Sequence, residues 1–170
     1  MSRTSILILI IAWLISGCGY HPPGHGNSLP ADIETLYIEM FQNLTTEPYL
    51  ENRLTDQVIS QFSRSRLVEV VEDPKMADAV LSGQVTGYSS IALSYNQFDR
   101  ITEYRSTTYV SSTLRRRADQ TVLWQGVLKS SEEYFASIDK EEQEDREGAA
   151  QAVAADRLAD DLYANVISGF

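Results

Sequence analysis

The chain has 170 residues, enough to bury one hydrophobic core without metal or disulfide staples, so a single folded domain is expected. Apolar residues make up 43% and charged residues 22%, a globular balance that excludes wholesale disorder and a multi-span membrane protein. The formal charge of −10 excludes nucleic acid as a partner and leaves no general attraction to anionic headgroups.

The N-terminus is of different material. Arg3 supplies a positive start, Ile6 to Ile15 is a nearly unbroken apolar run, and Ser16-Gly17-Cys18 follows. This is a signal-peptide layout, and the run falls short of the roughly 20 residues a membrane-spanning helix needs. Ile15-Ser16-Gly17-Cys18 matches the lipobox of bacterial lipoproteins: small residues suit the signal peptidase, and the thiol takes a diacylglycerol. Residues 1–17 are then a cleaved signal, and Cys18, the sole cysteine, is the lipid-attachment site, with palmitate among its expected acyl chains. Acylation also accounts for an otherwise unpaired thiol in an oxidising compartment. Each buried methylene adds about 0.8 kcal/mol, so stable anchoring needs more than one chain. Gly19 stands where an aspartate would retain a lipoprotein at the inner membrane of enteric bacteria. The expected location is therefore the periplasmic side of a Gram-negative outer membrane. Losing Arg3 with the signal takes the charge from −10 to −11.

Residues 18–32, rich in Pro and Gly from His21 to Ser28, read as a lipidated N-terminus and spacer, and 33–170 as the folded domain. From Thr35 to Phe41 apolar Leu36, Ile38 and Met40 alternate with Tyr37 and Glu39, which predicts a strand. Gln42 to Glu47 is polar, and Pro48 opens a helix whose stripe of Leu50, Leu54, Val58 and Phe62 needs a sheet to cover it. That helix should end near Ser65. Leu67 to Glu72 predicts a short strand, broken by Asp73-Pro74, with a turn over Met76 to Asp78. Three long β segments follow, Val80 to Tyr95, Arg100 to Arg117 and Thr121 to Phe135, and their short loops predict antiparallel hairpins. In the second, Tyr104, Thr108, Val110 and Leu114 share a core face, while Glu103, Arg105, Tyr109, Arg115 and Arg117 share a wet one. Gly83, Gly87 and Gly126 suggest bulges or bends. Ser137 to Glu147 is acidic without apolar pattern. From Gly148 onward Ala150, Ala154, Leu158, Leu162 and Val166 predict a C-terminal amphipathic helix. The fold class expected is α+β, a two-layer sandwich with two helices on one face of a mixed, mostly antiparallel four- to five-stranded sheet.

Chemistry is sparse. His21 and His25 lie in the spacer without the cysteine or carboxylate cluster a metal site requires, so neither a metal nor a cofactor is expected. With Cys18 acylated and no histidine in the core, no Ser/His/Asp or Cys/His arrangement can form. Glu132-Glu133 and the Glu141 to Glu147 run read as solvated faces rather than an acid/base pair. No glycine-rich phosphate loop is present, and the Asn43-Leu44-Thr45 sequon carries no weight beside a bacterial lipobox. Basic residues concentrate between Arg100 and Lys129. Arginine forks suit phosphate, so Arg105, Arg115 and Arg117 are candidates for contact with a phosphorylated headgroup, set against ordinary pairing with nearby acids.

Several stretches together resemble the lipopolysaccharide-assembly lipoprotein family, LptE. They are Cys18-Gly19-Tyr20-His21, then Phe41-Gln42-Asn43-Leu44-Thr45-Thr46-Glu47-Pro48, then Ala77-Asp78-Ala79-Val80-Leu81-Ser82-Gly83, followed by Leu123-Trp124 and Glu132-Glu133-Tyr134. Pro22-Pro23-Gly24 departs from the leucine and arginine that many members carry after the histidine. The resemblance implies a two-layer α/β domain that plugs the lumen of the outer-membrane β-barrel LptD, assists its assembly and helps pass lipopolysaccharide to the cell surface. It implies binding rather than catalysis, with lipopolysaccharide met by basic residues near a strand connection. The alternative is an auxiliary lipoprotein of an ABC-type transport or secretion system, which shares the strand-helix-strand start and the Ala-Asp-Ala strand opening.

Overall fold

The computed structural model describes residues 29–168. In chain order it holds β1 (Thr35–Ile38), β2 (Gln42–Asn43), α1 (Leu50–Ser63), β3 (Glu69–Val70), a 3-10 turn (Pro74–Met76), β4 (Ala79–Tyr95), β5 (Ile101–Arg116), β6 (Val122–Phe135) and α2 (Lys140–Ser168). The strands form one sheet in the order β3-β1-β4-β5-β6, with β2 joining β4 beyond the end of β1. β1 runs parallel to β3 and β4, and β2 parallel to β4. The pairs β4–β5 and β5–β6 are antiparallel, as their short loops predict. Two helices on a mixed sheet is the expected architecture, with six strands in place of four to five.

The extra strand is β2. The chain leaves β1 at Ile38, and Gln42 and Asn43 then pair with Gln84 and Val85. A two-residue strand has no room for alternation, so periodicity could not reveal it. At the turn inward, the Phe41 amide is satisfied by Thr55 Oγ1 at 3.0 Å, and that hydroxyl donates to the Glu51 carbonyl at 2.7 Å. One buried threonine thereby ties the β1–β2 kink to α1.

The other correction is the start of α2. It begins at Lys140, not Gly148, because its first two turns are held by polar contacts that leave no apolar stripe. Asp139 Oδ1 caps the Glu142 amide at 3.1 Å, the Ser137 amide donates to Gln143 Oε1 at 2.7 Å, and Arg146 pairs with Glu142 at 2.7 Å. Glu141 and Glu142 also sit favourably in the first turn of the helix dipole.

Both helices cover one face of the sheet. Leu54, Val58 and Phe62 of α1 and Ala154, Leu158, Leu162 and Val166 of α2 are buried against Leu36, Leu81, Val85, Val110 and Leu114. A fully buried leucine contributes about 1.5–3 kcal/mol by removal from water, so this stripe holds the two layers together. Along β5, even-numbered residues from Ser106 to Leu114 point inward, while Tyr109 and Arg115 are exposed, as alternation predicts. On β4 the inward parity changes partway: Val85 pairs with Val110, yet Tyr88 pairs with Thr108. The extra residue, Thr86, forms a bulge beside Gly87, so one of the three glycines does mark an irregularity.

Gly83 and Gly126 do something else. They flank Ser112 in one row across β4, β5 and β6, all three in regular register. A Cβ on Gly83 would overlap the Phe41 ring, and one on Gly126 would stand 2.5 Å from the Trp124 ring. Small residues are needed there because two aromatic rings lie on the sheet. Ser112, 2% exposed, leaves its Oγ without a hydrogen-bond partner between them. Gly83→Ala and Gly126→Ala should each destabilise by about 1–3 kcal/mol through overpacking, whereas Ser112→Ala should be neutral or slightly stabilising. Urea unfolding midpoints at constant slope measure all three.

Candidate functional site

Among the described residues no helix covers the outer face of the sheet, which is polar. Gln42, Ser82, Gln84, Ser111, Thr113 and Gln125 line a shallow groove of about 370 Å³ there. Thr107 and Ser131 hydrogen-bond to each other at 2.9 Å on the same face, and Tyr109 pairs across the strands with Lys129. Hydroxyls and amides at alternate positions make a surface that stays hydrated or meets another polar surface.

Two of the three candidate arginines point from this face, but far apart. Arg105 pairs with Ile91 and Glu133 in register, and Arg115 with Val80 and Val122. Ten positions along one strand put them about 33 Å apart, so they form no single patch. Arg105 binds Glu133 Oε1 at 2.5 Å, both side chains nearly half exposed. Arg115 is exposed. Arg117, just past β5, donates from Nε to the Ala77 carbonyl at 2.5 Å and from its backbone amide to the Asp78 carbonyl at 2.8 Å.

Arg117 thereby belongs to a clamp centred on Asp78. Asp78 Oδ2 accepts from the Thr35 hydroxyl at 2.8 Å, the Thr35 amide at 3.0 Å and the Glu34 amide at 3.1 Å, while the Thr35 hydroxyl lies 2.9 Å from the Asp78 amide. The Thr35 hydroxyl, the two backbone amides and the Arg117 charge hold the Asp78 carboxyl below the usual carboxylate range. Ala77 and Ala79 on either side are fully buried. The Ala-Asp-Ala opening of β4 thus locks β1 at its first residue: small side chains let the strands approach, and the carboxylate holds the neighbouring amides. Beside it Arg116 Nε stands 3.0 Å from Asp32 Oδ2 but makes no aligned hydrogen bond, so that contact is coulombic.

The loop between β2 and α1 is built on Asn43. Its Nδ2 donates to the Glu47 carbonyl at 2.7 Å and Glu51 Oε2 at 2.8 Å, and its Oδ1 accepts from the Thr45 amide and hydroxyl at 3.0 and 2.7 Å. The loop then enters α1 through Tyr49 at φ 65. Behind it lies a cleft of about 570 Å³ lined by Glu47, Tyr49, Arg53, Glu144, Glu147 and Gln151. At its floor Tyr88 donates to Glu147 at 2.5 Å, and Gln151 donates to both Tyr88 and Glu47, at 3.2 and 2.7 Å. Burial first, opposed by the Gln151 hydrogen bond and aided by the hydrogen bond that Glu147 accepts, pushes the Tyr88 phenol well above its ordinary range, so it stays protonated and remains a donor. Among the described residues no three His, Cys, Asp or Glu side chains gather as metal ligands, and no helix is long and apolar enough to cross a membrane.

Reading the sequence for chemistry missed both the Asn43 loop and the Tyr88 network. Glu147 and Gln151, four residues apart on one helical face, were the available signal, masked by the acidic run before them. Cys18, His21 and His25 lie outside the described residues.

A polar sheet face and a structural clamp at the strand opening belong to an α+β domain with two helices packed on one side of a mixed sheet. The lipopolysaccharide-assembly family model, LptE, matches residues 33–166, and the chain belongs to that family of cell-envelope lipoproteins. Solved structures share the fold. They include CT253 from Chlamydia trachomatis (10% identity, TM-score 0.58, 79% of this chain and 95% of that one) and XCC0632 from Xanthomonas campestris (16%, 0.58, 85% and 92%). Rare lipoprotein B from Shewanella oneidensis is also similar (12%, 0.49, 78% and 96%). No curated protein matches the sequence.

The clamp makes a pH prediction. Because the folded Asp78 carboxyl titrates lower than in the unfolded chain, its contribution is present above the ordinary carboxylate range and is lost as pH falls through the folded value. Asp78→Asn should cost about 1–2 kcal/mol at pH 7, and the gap from wild type should close below about pH 4, as followed by urea unfolding across pH.

Proposed function

We propose that the mature chain, held by acyl chains on Cys18 at the periplasmic side of the outer membrane, plugs an LptD-type β-barrel and assists its assembly. In that place it supports passage of lipopolysaccharide to the cell surface, by binding and not by catalysis. The observation that carries this reading is the family match over residues 33–166, which takes in the whole two-layer domain. The uncovered sheet face supports it: a row of serine, threonine and glutamine side chains suits the wall of a wet lumen, and the helices, whose apolar stripe is spent on the core, form the other side.

For lipopolysaccharide itself the arginines differ in what they can offer. Arg115 presents an exposed fork. Arg105 is held by Glu133 in a surface pair worth about 0–1 kcal/mol, which a bidentate phosphate can displace. Arg117 has its Nε committed to Ala77 and offers only its remaining guanidinium N–H groups. The first two test contact cleanly, and the third also tests the fold.

Full-length acylated protein extracted in detergent from outer membranes should retain one barrel partner in a fixed ratio at high salt. Recovery of an inner-membrane transporter instead would contradict the plug reading and favour the transport-auxiliary one. In the same preparation, Arg105→Glu with Arg115→Glu should lower bound lipopolysaccharide several-fold while barrel recovery stays unchanged.

A further inference from the structure

β6 is an edge strand of 14 residues, and its free edge is treated differently along its length. The Ala136 amide donates to the Thr102 carbonyl, so even-numbered residues of this ladder face β5. Antiparallel alternation then turns the backbone groups of odd-numbered residues from Gln125 to Phe135 outward. Two of the outward carbonyls are covered by arginines of α2: Ser131 accepts from Arg157 at 3.3 Å, and Phe135 from Arg146 at 3.2 Å. Arg146 also reaches the Ala136 carbonyl at 3.0 Å. Below Ser131 this protection stops. The backbone groups of Gln125, Val127 and Lys129 have no hydrogen-bond partner among the described residues, and the Val127 side chain is 72% exposed.

An edge of this kind is normally blunted by charge, proline or a bulge. From Trp124 to Leu128 there is no charged residue, proline or register shift; the bulge at Leu123 lies beyond one end of the open stretch, and Lys129 at the other end is its one charge. The open stretch is also self-complementary. Outward-facing residues pair with outward-facing residues, so a second β6 running antiparallel with its two-fold axis at Val127 sets Val127 against Val127 and Gln125 against Lys129. That arrangement forms about six backbone hydrogen bonds and places no like charges opposite each other. It ends in register on both sides, because the next pair would be Leu123 with Ser131, whose carbonyl Arg157 already holds.

We propose that the open half of the β6 edge is a self-association surface, where a second copy of this chain adds its own β6 antiparallel about Val127. The arginine caps confine pairing to this stretch. Neither the edge nor its partner depends on the barrel reading.

Single cysteines in the full-length lipoprotein in detergent test register as well as contact. Paired Val127 residues would have Cα atoms about 5.5 Å apart, within disulfide range. Val127→Cys should therefore oxidise to a covalent dimer. Lys129→Cys, exposed on the same edge, should not do so alone but should cross-link when mixed with Gln125→Cys. The unaltered chain serves as the blank. Sedimentation should show the unaltered chain passing from monomer to dimer with concentration, and Val127→Pro, which removes an outward amide the β5 ladder does not use, should weaken the dimer at least about tenfold. A monomer at every soluble concentration, or equal cross-linking by Val127→Cys and Lys129→Cys, would overturn the proposal.

Discussion

One-sided burial of the β4–β5–β6 block is the constraint from which the rest of the fold follows. Three long strands turn Val85, Val110 and Leu114 inward and present a face that water would penalise, so a cover must be found. α1 and α2 supply it with leucine, valine and alanine at helical spacing. The alanines of α2 bring that helix close to the sheet, while Gly83 and Gly126 make room for the Phe41 and Trp124 rings. Once the inner face is closed in this way, the outer face is left polar by the same alternation.

The clamp at Asp78 and the buried network at Tyr88 secure opposite parts of this arrangement. Asp78 fixes the parallel β1 to the start of β4 and recruits Arg117 from the β5–β6 turn. Tyr88, Glu147, Gln151 and Glu47 join the middle of β4 to α2 and to the loop before α1. Leu29 is buried in the core and Asp32 lies against Arg116, so the described residues begin near the β5–β6 turn. The β4–β5 turn, with Phe98 72% exposed, lies at the other end of β5, a strand of 16 residues and about 53 Å. The domain is therefore elongated, with Asp32 and the β5–β6 turn at one end and the β4–β5 hairpin tip at the other.

The elements that repeat a period were legible in the sequence. β5 showed its inward and outward residues, α1 its stripe, and the short loops their antiparallel pairing. What could not be read has physical reasons. β2 is too short for any period, the first turns of α2 are held by capping and ion pairs, and the glycine row reflects rings arriving from distant residues. Among the candidate arginines the face was readable for Arg105 and Arg115 but not for Arg117, which lies past β5, and engagement was readable for none. Arg117 meets Ala77 forty residues back in the chain, and Arg105 meets Glu133 across a strand pair whose register only the folded sheet defines. Val127 has no signal of its own in the sequence, and only the sheet order makes it part of an open edge.

The proposed plug is tested most directly by finding which side of the domain, if either, meets an LptD-type barrel. Photo-crosslinking residues placed one at a time at Thr107, Ser111 and Thr113 on the sheet face, and at Ile59, Asp156 and Asp160 on the helices, can be activated in intact cells. Adducts with a single barrel protein from the three sheet positions, and none from the helix positions, are the outcome the proposed plug requires. Adducts from the helices alone would contradict it.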